Sequence, residues 1–86
     1  MKIKDGFVMR RVAGEYVVIN AGADTNLQGV ITLNETGATL WRRLEQPAEW
    51  DDLTQVLLDE YEVDGKTAAD AAAAFVEKLK ERDLLE

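Results

Sequence analysis

The 86-residue chain contains no histidine and no cysteine. The commonest general base and the commonest neutral metal ligand are therefore missing. So are thiol nucleophiles, thiolate metal sites and disulfides. Carboxylates remain, and they fall as adjacent pairs, Asp51-Asp52 and Asp59-Glu60. Residues at i and i+1 on a helix do not face each other, so these pairs do not converge as an acid and a base. The spaced Asp/Asn/Gly loop of a calcium site is absent as well. The acids read as solvated helix faces, and the sequence predicts no catalytic residue, no metal site and no cofactor. The chemistry left to such a chain is recognition.

Composition narrows the partner. At 47 % hydrophobic and 31 % charged residues the chain is globular rather than disordered. Its net charge is −7. The charge is uneven, since basic residues such as Arg10, Arg11, Arg42 and Arg43 concentrate in the first half and acids in the second. An acidic protein repels phosphate backbones, so nucleic acid is not an expected partner. The longest apolar run, Ala71 to Val76, is far short of the roughly 20 residues a membrane helix needs. Met1-Lys2-Ile3-Lys4-Asp5 lacks the apolar stretch of a signal peptide. The expectation is one cytoplasmic domain over residues 1–86, with no membrane partner.

Two β-rich runs, Phe7–Val12 and Glu15–Asn20, flank Ala13-Gly14 and read as a hairpin whose turn type stays open. Residues 21–29 are small and polar and read as a mobile loop. Val30-Ile31-Thr32-Leu33 is a third short strand. Asn34 caps a first helix over 35–45, with Glu35 in its first turn and Leu40, Trp41 and Leu44 on its core face. Arg42-Arg43 lie on its outer side, read either as solvent-exposed or as a candidate docking patch. Asp51 is the expected cap of a second helix carrying Leu53, Val56, Leu57 and Tyr61, and Asp64 that of a third over 66–82. The fold class is α+β: a winged-helix-like domain in which a three-stranded antiparallel sheet is followed by three helices.

The second and third helices would form a helix-turn-helix unit, but the third opens on Gly65-Lys66-Thr67-Ala68-Ala69-Asp70. That offers little to base edges or phosphates. Its apolar arc is instead unusually wide. With Phe75 at zero, Ala71, Ala68, Leu79 and Ala72 fall between about −40° and +60°, a core face. Val76, Ala69, Lys80 and Ala73 fall at about 100° to 160°, where a polar surface is expected. This second stripe is a candidate groove wall, with Lys80 at its positive end. Should Val76→Asp unfold the domain, this second stripe is core; should it fold and leave binding normal, the groove is expected elsewhere, on the flank carrying Ala74, Lys78 and Arg82. The third strand adds an edge that can accept a further strand.

Leu33-Asn34-Glu35-Thr36-Gly37-Ala38 with Leu40-Trp41 resembles the LNxTGA…W signature of the PqqD-like family. Tyr61-Glu62-Val63-Asp64 and Phe75-Val76…Leu79…Leu84-Leu85 are similar to its other motifs, and Arg10-Arg11-Val12 with Glu15-Tyr16-Val17 fits its opening strands. The likeness is to the broad family rather than to the strict quinone-biosynthesis member, and Asp83 stands where glycine is usual. The resemblance implies a RiPP recognition element, a non-catalytic domain that binds the leader segment of a ribosomally made precursor peptide. It presents the leader to a modifying enzyme, often a radical SAM protein. The leader would pair with the main chain of Val30, Ile31, Thr32 and Leu33 and lie against Ala69, Ala72, Val76 and Lys80. The alternatives are a winged-helix DNA-binding regulator and a structural subunit-interface domain.

Overall fold

The computed structural model describes residues 1–21 and 31–86. Three strands come first: β1 (Phe7–Val12), β2 (Glu15–Asn20) and β3 (Ile31–Leu33). Three helices follow: α1 (Glu35–Leu44), α2 (Trp50–Glu60) and α3 (Gly65–Glu81). The expected α+β order is the observed one. Residues 22–30, which hold most of the expected loop and the Val30 pairing, lie outside the described residues.

Among the described residues the sheet is antiparallel in the order β1-β2-β3, so β2 is central and β3 is an edge. Met9 lies across from Val18, and Val18 across from Ile31. Tyr16 lies across from Leu33. Side chains alternate between faces, which puts Val18, Ile31 and Leu33 against the helices and leaves Thr32 exposed on the other face. The hairpin turns on two residues with positive φ, Ala13 at 52° and Gly14 at 84°. That is the signature of a type I′ turn, whose twist matches that of the flanking strands. Glycine adopts such a φ freely, whereas alanine is strained there.

Each helix has a cap that its sequence explains. Asn34 Oδ1 accepts from Gly37 N at 2.7 Å, and Asp64 Oδ1 accepts from Thr67 N at 2.7 Å. The Thr67 amide holds the Asp64 carboxyl below its ordinary range. The expected Asp51 cap is displaced by two residues. α2 begins at Trp50, and the Asp52 carboxylate reaches back to accept from Glu49 N at 2.7 Å. Glu49 is the cap residue because the closing acid sits three positions later, as a capping box requires. α3 ends in a Schellman arrangement: Leu84 N donates to Leu79 O and Asp83 N to Lys80 O. Asp83 occupies the left-handed position with φ 58°.

The core gathers Val18, Leu40, Trp41, Leu44, Leu53, Leu57, Leu79 and Leu84, all fully buried. Residues before β1 complete it. Ile3 is buried, donates its N–H to Leu44 O and bridges Leu85, while Lys4 N donates to Leu84 O. Sequence pattern marked the first residues only by what they lack; their main-chain role ties the end of α1 to the segment after α3. No helix among the described residues is long and apolar enough to cross a membrane.

Candidate functional site

The groove follows from where α3 sits relative to β3. Pairing to β2 uses one edge of β3, and the other edge faces α3. Between them lies an open groove of about 450 Å³. β3 and its exit supply Thr32, Leu33 and Asn34. The first turns of α1 supply Thr36, Gly37 and Leu40, and α3 supplies Ala71, Ala74, Phe75 and Lys78. Gly37 is part of the construction. A Cβ there would stand 3.2 Å from both the Phe75 ring and Asn34 Oδ1, and 3.4 Å from Leu33 Cβ. A side chain there would force these neighbours to give by a few tenths of an ångström.

Among the described residues, one polar contact crosses the groove. Lys78 Nζ donates to Thr32 O at 3.3 Å. The Thr32 carbonyl therefore points off the open edge rather than into the ladder with β2. A second, smaller apolar cavity of about 140 Å³ continues beyond Thr36 and Ala71 toward Tyr61 and Val63. There Thr39 Oγ1 and Tyr61 OH share a hydrogen bond of 2.9 Å.

The residues expected to line the site are divided by the structure. Ile31 and Leu33 are buried on the helix side, and Thr32 is exposed at the edge. Ala69 and Lys80 are exposed, but neither lines this groove. Ala72 is 0 % exposed and Val76 1 % exposed; both belong to the core and neither lines this groove. The reason is the direction in which α3 packs. Its buried residues Ala68, Ala72, Phe75, Val76 and Leu79 span an arc centred about 40° from Phe75, toward Val76. Phe75 is thus the rim of the core rather than its centre. The groove lies on the opposite flank, at about −40° to −100°, where Ala71, Lys78 and Ala74 stand. Of the alternative flank, Ala74 and Lys78 line this groove, whereas Arg82 is the C-cap and does not. Polyalanine hides this choice in the sequence, since both flanks are equally apolar.

Several basic residues have local partners. The Arg11 and Arg42 guanidiniums each lie 5.5 Å from the Tyr16 ring centre, within cation–π range. Arg43 pairs with Asp52 at 3.4 Å and donates to Pro47 O. Lys2, whose pKa is raised by its hydrogen bonds to Asp5 and then Glu86, does not line the groove.

Comparison with known proteins fits this architecture. The sequence profile described as coenzyme PQQ synthesis protein D, PqqD, matches residues 13–85. The chain belongs to the PqqD family. No curated protein matches this PqqD-family chain in sequence. Two solved structures match it in fold. TbiB1, determined in complex with the TbiA(beta) leader peptide, is 27 % identical with a TM-score of 0.76, covering 100 % of this chain and 95 % of its own. Lasso peptide synthetase B1, complexed with its leader peptide, is 26 % identical with a TM-score of 0.70, covering 96 % and 93 %.

Proposed function

We propose that this PqqD-family chain binds the leader segment of a ribosomally made precursor peptide and presents it to a modifying enzyme. The observation that carries the reading is the open edge of β3 facing α3 across an apolar groove. An extended peptide can add there as a fourth strand, its main chain pairing with Thr32 and its alternate side chains entering the groove. Both solved neighbours were determined with a leader peptide bound, which supports this class of ligand.

The domain's contribution is to tether. Holding the leader raises the effective concentration of the precursor's remaining segment at the enzyme without touching the bond that changes. No catalytic role is assigned to any residue. A radical SAM partner is supported by the family resemblance alone; the second neighbour is itself named a lasso peptide synthetase B1. DNA recognition gains no support: the chain carries −7, and α3 opens on one lysine that is paired with Asp70.

Titration of the isotope-labelled protein with the leader of a precursor encoded beside its gene is the test. Amide shifts should concentrate at Thr32, Leu33, Gly37, Ala71, Ala74 and Lys78. Shifts centred on α2 and the first turn of α3 would reject the groove.

A further inference from the structure

We infer that Lys78 selects an acidic side chain on the incoming strand, placed two residues from an apolar one. This rests on the proposed leader binding and deepens it. Three observations lead there. Lys78 is exposed on the groove wall and forms no ion pair among the described residues, although the chain carries seven more acids than bases. Its hydrogen bond goes to a neutral carbonyl, Thr32 O. That carbonyl is the acceptor an added strand would need.

Binding therefore forces an exchange. The peptide's N–H takes Thr32 O, and the Lys78 ammonium must find another acceptor inside a groove that is losing water. A neutral peptide leaves the cation without a protein partner as it is desolvated, which is costly. A carboxylate replaces the carbonyl with a hydrogen bond in which both partners are ionised, the stronger kind. Until then the lysine covers the edge, a common protection against unwanted strand pairing.

The sheet fixes the position of the acid. Ile31 and Leu33 point to the helix side, so peptide residues across from them do too, while the residue across from Thr32 points away. Across from Leu33 the groove is apolar, formed by Gly37, Leu40, Ala71 and Phe75. α3 runs from Ala71 near Thr36 to Lys78 at Thr32. The position across from Ile31 is therefore at the lysine end. The recognised pattern is an apolar residue and an acidic residue separated by one position that is not read from this side.

The test uses a displayed library of random ten-residue peptides, selected on the parent protein and on Lys78→Gln and Lys78→Glu. Lys78 is exposed, and thermal melts confirm that each variant folds. The parent should enrich apolar–x–acidic peptides. Lys78→Gln should bind those peptides about tenfold or more weakly, the loss expected for one charge-assisted hydrogen bond. Lys78→Glu should enrich apolar–x–basic ones. If the parent enriches groove-binding peptides with no acidic preference, or the preference survives in Lys78→Gln, the assignment of Lys78 is overturned while leader binding stands. If no peptide is enriched on the parent, the peptide-binding reading fails and takes this inference with it.

Discussion

Replacing Val76 by alanine should lower the melting temperature by roughly 10–20 °C, although the position lies one residue from a groove-lining one. Val76 is buried to 1 % exposure among Ala72, Leu79 and the rest of the core. The change removes two buried carbons at about 0.8 kcal/mol each and leaves a small cavity, together about 2–3 kcal/mol. In a domain of this size each kcal/mol shifts the midpoint by roughly 4–8 °C. Val76→Asp is harsher. It buries an unpaired carboxylate at a cost of several kcal/mol, against a total stability of roughly 4–13 kcal/mol for this length. That variant should be largely unfolded. Ala74→Asp is the control on the groove flank of the same helix. Ala74 is exposed, so the substitution costs only the helix-propensity difference, up to about 0.7 kcal/mol. It should melt within about 5 °C of the parent while binding leader peptide poorly. Circular dichroism melts and peptide titrations on the three variants give the answer. A Val76→Ala protein that melts with the parent, or an Ala74→Asp protein that unfolds, would refute the placement of α3.

Three further outcomes follow from the backbone and the caps. Asp83→Gly relieves the left-handed residue of the Schellman motif and gives up only the exposed pair of Lys4 with Asp83; thermal melts should show it equal to the parent or stabilised by up to about 1 kcal/mol. Ala13→Asn places a residue suited to the type I′ turn where alanine is strained; its melting temperature should rise, and a fall would mean that the turn is of another type. Asp64 has a folded pKa below its ordinary 3.8 because the Thr67 amide donates to it. Its contribution is thus complete above that value and lost as pH falls through the folded one. The melting difference between the parent and Asp64→Ala should therefore be larger at neutral pH than in acid, and a difference independent of pH would contradict the charged cap.

Much of the fold is legible in the residues because local signals agree with the final packing. The hairpin, the Asn34 and Asp64 caps and the Leu40-Trp41-Leu44 face each depend on neighbours within a few positions. The parts that escaped depend on distant ones. Ile3 reads as an isolated apolar residue between lysines, and only the bond from its N–H to Leu44 O and its bridge to Leu85 show it to be core. Asp51 is by type the better capping residue than Glu49; the reach of Asp52 back to the Glu49 amide decides against it. The groove is the sharpest case. The edge of β3 and the third helix are both visible in the sequence. The face of α3 that meets the edge is set by how the helix packs on α2 and α1, and a row of alanines records nothing of that rotation. The expected stripe therefore fell on Val76, one helical step into the core, while Lys78 carries the contact to the strand.

The most direct measurement is the set of intermolecular proton contacts in the protein saturated with leader peptide. Added-strand binding predicts close main-chain contacts between peptide protons and Thr32, together with side-chain contacts from alternate peptide residues to Gly37 and Phe75. Contacts confined to α2 or to the far flank of α3 at Ala69 and Lys80, with none at Thr32, would contradict it.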